Sequence, residues 1–264
     1  NKLMKTHIYA YILYLKIISL YINYMTTILS IDVGIKNLAY CTLSRDVSGN
    51  VHINDWGIIN IMEDINKKCT HTIRHKPCTR DASYCIHKEG VDNVFFCNKK
   101  TCEKKMNQDY IKKEIKKQKR KTCKNIKLKE LALILLTKLK EKGKSLLNVD
   151  KVIIENQPVL KNPTMKSVQM ILYTYFLDRG IMDTTRSIDD VILFSARNKL
   201  KMYDGPKVTC DKKNKYAKRK YLSIEYTKYF IHDNPTWLSF FNTHSKQDDL
   251  ADSYLQGLYY LLKK

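Results

Sequence analysis

The stretch TTILSIDVGIKNLAYCTL, residues 26–43, decides the fold because it places a carboxylate inside the most strand-like segment of the chain. Thr27–Val33 reads as a buried strand and Leu38–Leu43 as its hairpin partner, and Val51–Ile59 reads as a third strand. Burying an unpaired carboxylate costs free energy, so Asp32 needs a reason to be there. A rigid strand fixes a metal ligand better than a loop does, and this favours a functional role for Asp32.

Beyond these strands, helices alternate with short buried strands. A helix is predicted where leucines recur every three or four residues, at Leu128, Leu131, Leu135 and Leu139, because this spacing places them on one helix face. Gly143 is the expected end of that helix. Three antiparallel strands followed by alternating helices and strands predict a mixed α/β sheet with helices on both faces. The other predicted elements are the strands Val152–Glu155 and Val191–Phe194, a helix over 163–180 capped by Asn162, and the helices Tyr216–Phe230 and Lys246–Leu262.

The charge of the chain is concentrated in two blocks. Of 264 residues, 48 are lysine or arginine and 26 are acidic, a formal net charge of +22. Lys99–Lys144 has a net charge of +13 and Arg197–Lys220 one of +8, so the rest of the chain is nearly neutral. Two basic blocks of this kind suit a polyanion such as DNA, because each neutralised phosphate releases counterions. The alternative is a pair of solvated lysine-rich faces.

Further carboxylates follow other elements. Glu155 ends a buried strand, and Asp249 and Asp252 share one face of the last predicted helix. Oxygen ligands select Mg²⁺ or Mn²⁺, and a pair of such ions about 4 Å apart can activate a water and stabilise the leaving oxygen of a phosphodiester. The alternative is that each acid is solvated separately.

Three motifs carry a family resemblance: LSIDVGIKNLAYC, IIENQP and KQDDLADS, in this order along the chain. They resemble the motifs of RuvC-type Holliday junction resolvases, in the branch found in poxviruses and other large DNA viruses. The resemblance implies a ribonuclease H-like fold with a mixed five-stranded sheet flanked by helices. It also implies a homodimer that resolves four-way DNA junctions by metal-dependent phosphodiester hydrolysis in recombination and replication, with no small-molecule substrate.

The resemblance also assigns roles to residues. Asp32, Glu155, Asp249 and Asp252 are the expected catalytic residues and ligands of two Mg²⁺ or Mn²⁺ ions, with Asp248 as the rival of Asp249. Basic residues near these acids, and in the segment FSARNKLKMY, are expected to contact DNA. These residues are Lys36, Arg197, Lys199, Lys201 and Lys246.

A cysteine-rich insertion, residues 66–104, departs from the shorter bacterial and poxvirus pattern. Its thiols at Cys69, Cys78, Cys97 and Cys102 predict a tetrahedral zinc site that holds together a stretch with few apolar residues. The module would widen the DNA-contacting surface beside the first basic block. Free thiols are the alternative, and the alternative ligands are Cys85, His71, His75 and His87. The chain has eight cysteines and is far longer than most disulfide-dense secreted domains, which favours a reducing compartment such as the cytoplasm or a viral replication site.

The first 24 residues are expected to lie outside the fold. Tyr9–Tyr24 is apolar but is interrupted by Lys16 and lacks a small-residue cleavage site, so a membrane anchor is the lesser alternative. Met25 directly precedes the first strand and is interpreted as the natural start. The nuclease domain is then expected to cover residues 25–262.

Three other functions share some of these features. A sugar-kinase or actin-like ATPase also has an aspartate in its first strand, but it needs a second glycine-rich phosphate loop, and this chain has only eight glycines. A nuclease of the same fold could act on other branched or single-stranded DNA. A DNA-binding module that has lost catalysis is the third alternative, and the full set of four acids argues against it.

Overall fold

The computed structural model describes residues 26–63, 65–87, 92–160, 162–183, 185 and 188–263. The predicted extension, residues 1–24, and Met25 lie outside the described residues. The chain divides into two compact units. The sheet unit comprises the described parts of Asn1–Ile61 and Ala132–Lys264, and the insert unit is Met62–Leu131.

The elements follow one another in chain order across both units. The strands are β1 Thr26–Asp32, β2 Asn37–Arg45, β3 Val51–Asn60, β4 Thr72–Ile73, β5 Lys76–Pro77, β6 Tyr84–Ile86, β7 Val94–Phe96, β8 Ile115–Lys117, β9 Lys151–Glu155 and β10 Asp190–Phe194. The α-helices are α1 Lys100–Asp109, α2 Leu128–Lys142, α3 Lys144–Leu147, α4 Pro163–Phe176, α5 Lys215–Phe230, α6 Pro235–Thr243 and α7 Gln247–Lys263. A π-helical turn covers Leu177–Ile181 and a 3₁₀ segment covers Ala196–Met202.

The sheet unit is built on five strands in the order β10-β9-β1-β2-β3. The strands β1, β2 and β3 form antiparallel pairs, whereas β9 runs parallel to both β1 and β10. This mixed sheet confirms the predicted fold class. Because β1, β9 and β10 are parallel, their carboxyl ends meet at one edge of the sheet.

Helices cover both faces of the sheet. On one face α7 contacts β1, β2 and β3, and the Trp56 ring stacks on Phe241 of α6 at 5.3 Å. The Trp56 indole also donates a hydrogen bond to the Leu250 carbonyl at 3.2 Å. In α4, which contacts β9, Val168 and Leu172 are fully buried. The alternating side chains of β1 and β9 are therefore buried on both sides, as expected for central strands.

Two predicted helices differ slightly from the structure. In α2, Leu131, Leu135 and Leu139 are fully buried as predicted, but Leu128 is 48% exposed because it begins the helix. The α4 helix begins at Pro163 as predicted, but it ends at Phe176 and continues as the π-helical turn. Across the described part of the chain, no helix combines the length and apolarity needed to cross a membrane.

The insert unit contains a short β4–β5 hairpin, a three-stranded antiparallel sheet in the order β7-β6-β8, and α1 packed on β7. Its core is small and includes the sulfur-bearing residues Cys69, Cys97, Cys102 and Met106 beside Ile86 and Phe96. The predicted cysteine-rich module, 66–104, lies inside this unit. Extended strands with few large apolar residues leave this unit with little hydrophobic stabilisation.

Candidate active site

A cleft of about 720 Å³ opens at the edge where β1, β9 and β10 end. Four acids that are distant in sequence line it: Asp32 ends β1, Glu155 ends β9, and Asp249 and Asp252 lie in the first turns of α7. The sheet unit thus brings the four predicted catalytic acids into one cleft.

The pairing of β1 with β9 places Asp32 beside Glu155. Ile31 lies opposite Ile154 in the parallel register, so the next residue of each strand is a carboxylate at the same edge. The chain then turns sharply at Gly34, where an added Cβ would lie 2.0 Å from the Asn37 carbonyl oxygen. Only glycine fits this turn, and the turn leads directly into β2.

Contacts in the middle of α7 fix its distance from the strands. Gln256 is fully buried, and its side-chain amide donates to the Ser30 hydroxyl at 3.2 Å, to the Ile31 carbonyl at 3.1 Å and to the Ile153 carbonyl at 3.3 Å. At Gly257 an added Cβ would come within 2.9 Å of the Ser30 Cβ. Since Gln256 lies one turn after Asp252, its amide holds Asp252 in place against the ends of β1 and β9.

Negative charge is crowded around Asp32. Burial, followed by the charges of Glu155 and Asp252, raises the pKa of Asp32 well above its usual value. Lys199 partly offsets this effect with its positive charge. The Lys199 ammonium lies 2.7 Å from Asp252, whose carboxylate also accepts a hydrogen bond from the Ser223 hydroxyl at 3.2 Å. Around Asp32, three carboxyl groups therefore share one buried ammonium group, and the other basic side chains of the cleft, such as Lys36 and Arg197, are exposed.

The two neighbouring aspartates of α7 have different partners. Asp249 lines the cleft and accepts a hydrogen bond from the Asn37 amide at 3.2 Å, and burial and the Asp248 charge raise its pKa. Asp248 forms an ion pair with Lys220. Burial raises the pKa of Asp248, but the hydrogen bond and charge of Lys220 outweigh this, so its pKa is lowered.

Glu155 is oriented by a chain of amides. The Gln157 side chain donates to the Glu155 carboxylate at 2.7 Å, and the Gln157 backbone N–H donates to the Gln169 side chain of α4 at 2.7 Å. Lys166 in turn donates to the Gln169 side-chain oxygen at 3.2 Å. This network connects Glu155 to a helix as well as to its own strand.

The predicted DNA contacts are placed in different environments. Lys36 and Arg197 are exposed and line the cleft, and Lys201 and Lys246 are also exposed. The charge of Lys246 acts on both Asp248 and Asp249, and at Asp249 it opposes the larger effects that raise the pKa, so Lys246 lies close to the acidic turn. Lys199 instead has only 6% of its surface exposed.

Several site residues were missed by reasoning from the sequence. Gln157 lies in the motif IIENQP, two residues after Glu155, and Asn37, the first residue of β2, lies in the motif LSIDVGIKNLAYC, so a motif-based argument could have found both. Ser223 and Gln256 carry no such signal, because only the packing of α5 and α7 brings them to the strands and to Asp252.

The four predicted zinc ligands also come together, in the insert unit. The sulfur atoms of Cys69, Cys78, Cys97 and Cys102 all lie within 4.8 Å of one another, and these residues are called the thiol group below. Cys85 lies apart from them, with its sulfur 3.7 Å from Nε2 of His87.

Comparisons with known proteins agree with this geometry. Residues 28–159 match the family described as mitochondrial resolvase Ydc2 and RNA splicing MRS1, a match that includes Asp32 and Glu155. The uncharacterised protein L451 of Acanthamoeba polyphaga mimivirus is 30% identical over an alignment that is 307 residues long with its gaps. The alignment covers 89% of this chain and 74% of the relative.

Two solved structures are more distantly similar. The yeast mitochondrial Holliday junction resolvase Ydc2 matches with 18% identity and a TM-score of 0.47, covering 89% of this chain and 79% of that one. The fowlpox virus resolvase, solved with Holliday junction DNA, matches with 17% identity and a TM-score of 0.43, covering 90% of this chain and 98% of that one.

Proposed function

The chain belongs to the family of the mitochondrial resolvase Ydc2 and the RNA splicing protein MRS1, and we propose that it is an endonuclease that resolves four-way DNA junctions. Cleavage would be a divalent-metal-dependent hydrolysis of phosphodiester bonds. The convergence of four acids in one cleft of the sheet unit carries this proposal.

The chemistry of the cleft fits Mg²⁺ or Mn²⁺. Its acids offer only oxygen ligands, and the raised pKa of Asp32 reflects its burial together with the charges of Glu155 and Asp252, which a bound cation would neutralise. Asp32, Glu155, Asp249 and Asp252 would hold two ions. When bound, such ions supply activation of the attacking water and stabilisation of the leaving oxygen.

The protein itself supplies rigid positions for these ligands. Asp32 and Glu155 are held by the sheet, and Gln157 keeps the Glu155 carboxylate oriented. Lys199 holds Asp252 in the metal-free protein and would loosen this contact when a cation takes over the charge. Asp249 is the better ligand than Asp248, because Asp249 lines the cleft with the other acids, whereas Asp248 pairs with Lys220 and is not among the lining residues.

The DNA-binding surface is proposed from the distribution of charge. Lys36 and Arg197 line the mouth of the cleft, where the backbone of a junction would pass, and Lys201 and Lys246 are exposed and would add phosphate contacts. The insert unit carries 20 basic and 9 acidic residues, so it would add contacts to the arms of the junction. A reducing compartment, such as the cytoplasm or a viral replication site, is proposed because a chain of 264 residues with eight cysteines is far longer than most disulfide-dense secreted domains.

A homodimer is proposed because symmetric cleavage of two strands needs two active sites. An apolar groove between α2 and α4 in the sheet unit, with Leu136, Met170 and Ile171 among its lining residues, suits a second copy. Met170 is 40% exposed there. Met170→Glu should therefore shift the protein to a monomer in light scattering and leave its circular dichroism unchanged.

The RNA splicing member of the family defines the second candidate function. A chain of this fold could bind structured nucleic acid without cutting it. The complete set of four acids in the cleft favours the nuclease.

A panel of labelled substrates tests the proposal. Four-way DNA junctions, flaps, duplexes, single strands and structured RNA are incubated with Mg²⁺ and with either wild type or Asp32→Asn. We expect paired nicks in the four-way junction with wild type alone. Preferred cutting of flaps or single strands would instead indicate another nuclease of this fold. Tight binding of RNA with no cleavage of any DNA would contradict the nuclease function and favour the second candidate.

A further inference from the structure

The sulfur atoms of the thiol group have the spacing of a tetrahedral metal site. The Cys78 sulfur lies 3.8 Å from that of Cys97 and 3.9 Å from that of Cys102. Four ligands at a Zn–S distance of about 2.3 Å place their sulfurs about 3.8 Å apart. Four thiols would fill every position of a tetrahedral ion, so the site is closed to a water or substrate ligand; three of the thiols are buried and Cys78 is half-buried. A closed set of four thiols is typical of structural zinc and not of catalytic zinc.

The first two thiols stand on either side of the β4–β5 hairpin. Ile73 pairs with Lys76, so Arg74 and His75 form a two-residue turn, and the Cys78 N–H donates to the His71 carbonyl at 2.9 Å. Both turn residues have positive φ values, +49° and +63°, which non-glycine residues adopt only at a cost of about 1 kcal/mol or more each. A hairpin of two-residue strands cannot supply this energy by itself.

The other two thiols come from the β7–α1 junction. Cys97 directly follows β7, and Cys102 is the third residue of α1. The thiol group therefore joins the hairpin to the sheet and the helix of the insert unit.

The insert unit has little else to hold it together. It comprises 70 residues, and three of the six buried residues in its core are cysteines of the thiol group. Domains of this size with small cores usually need disulfides or a metal. We propose that the insert unit binds one structural Zn²⁺ through Cys69, Cys78, Cys97 and Cys102 and depends on this ion to fold.

This inference goes beyond the proposed nuclease function and does not rest on it. Thiolate ligands select Zn²⁺ over the hard cations suited to the acidic cleft, so the two kinds of metal are separable. The zinc site can therefore exist in an active nuclease or in an inactive nucleic-acid-binding protein.

The first experiment measures the metal content of the full-length chain, purified without chelators, by elemental mass spectrometry. We expect one zinc per chain in wild type, and less than a tenth of that in Cys97→Ser. Cys85→Ser is the matched control, because Cys85 is also a buried thiol of the insert unit but bonds to His87 outside the thiol group. This control should retain one zinc.

A second measurement applies even when Cys97→Ser fails to fold. Metal-stripped wild type is titrated with Co²⁺ and followed by visible absorption and by hydrogen exchange. We expect the spectrum of a tetrahedral tetrathiolate at one Co²⁺ per chain, together with recovery of amide protection in β6, β7 and α1. Wild type without zinc, full zinc in Cys97→Ser, or a mass showing disulfides between these cysteines would each overturn the proposal.

Discussion

The acidic cleft and the thiol group both offer four ligands to a metal, but they hold those ligands in opposite ways. In the described residues, the thiol group is the one set of three or more Cys, His, Asp or Glu side chains whose ligand atoms all lie within 4.8 Å of one another. The carboxylates of the cleft line a wider space, with the Lys199 ammonium against Asp252. Neutral thiols can touch, whereas neighbouring carboxylates repel one another unless a cation lies between them.

This difference in how the ligands are held indicates a catalytic role for the ions of the acidic cleft and a structural role for the ion of the thiol group. The acids extend from a five-stranded sheet and from a helix fixed by Gln256, and both are held by backbone pairing, packing and hydrogen bonds. Removing the ion from the cleft should therefore abolish the chemistry and leave the fold intact. The cysteines instead form half of a small core, so removing their ion should unfold the insert unit.

The largest expected effect is that of Asp32→Asn on cleavage. Losing one charged ligand should lower the rate of junction cutting on the order of 1,000-fold, because metal-ion catalysis contributes several kcal/mol and each 1.4 kcal/mol is about tenfold in rate. Zinc content and junction affinity should stay unchanged. Asp233→Asn is the control, since this carboxylate is 90% exposed and pairs only with its neighbour His232. Equal loss in both variants would refute the role of Asp32.

Replacing Lys199 should affect stability most in the metal-free protein. Lys199→Met leaves Asp252 and Asp32 without their buried cation, and it should lower the free energy of unfolding of the sheet unit by roughly 2–4 kcal/mol. Mg²⁺ should recover part of this loss. Lys201→Met, at an exposed lysine of the same segment, should leave stability unchanged and weaken junction binding. Denaturant unfolding with and without Mg²⁺ measures the stability of both variants. Equal stabilities for Lys199→Met and Lys201→Met would contradict this role of Lys199.

Gln256→Leu should separate the positioning of Asp252 from the binding of the junction. Without its three hydrogen bonds to β1 and β9, α7 holds Asp252 less firmly, and cleavage should fall about tenfold while junction affinity is kept. Gln247→Leu is the control on the same helix, because the Gln247 amide bonds to the Phe241 carbonyl and not to a strand. Single-turnover cleavage and binding assays separate the two steps. Unchanged cleavage in Gln256→Leu would show that the helix is held by other contacts.

The smallest expected effect is a pH dependence of the metal-free sheet unit. The pKa values of Asp32 and Asp249 are raised in the folded state, so the folded protein binds protons that the unfolded chain releases above about pH 4. Stability should therefore fall as pH rises above about 4 through the folded-state pKa values. Thermal unfolding in chelator across this range should show the decrease, and Asp32→Asn should reduce it. A wild-type protein that becomes more stable over the same range would contradict this sign.

The three antiparallel strands and the mixed sheet were predictable, because the buried strands and the helices that follow them can be recognised in local sequence. The meeting of Asp32 with Glu155 was implied by the family resemblance. The convergence of Asp249 and Asp252 on the same edge was expected from the family resemblance. The burial of Lys199 was not predictable, since a lysine in a basic segment reads as solvent-exposed. The role of Gln256 was also hidden, because it depends on how closely α7 approaches β1 at Gly257.

The insert unit shows where local reasoning stops. The cysteine spacing suggested a zinc site, but the wide separation of Cys69 and Cys78 became understandable only from the hairpin between them. The boundaries of the unit, Met62–Leu131, follow from packing, which no sequence motif marks.

Anomalous scattering from crystals of the full chain soaked in Mn²⁺ tests the central claim most directly. We predict strong anomalous peaks in the cleft, bonded to oxygens of Asp32, Glu155 and Asp252, and their loss in Asp32→Asn crystals. A wild-type cleft without manganese, in which Lys199 still holds Asp252, would contradict the assignment of these acids as a catalytic metal site.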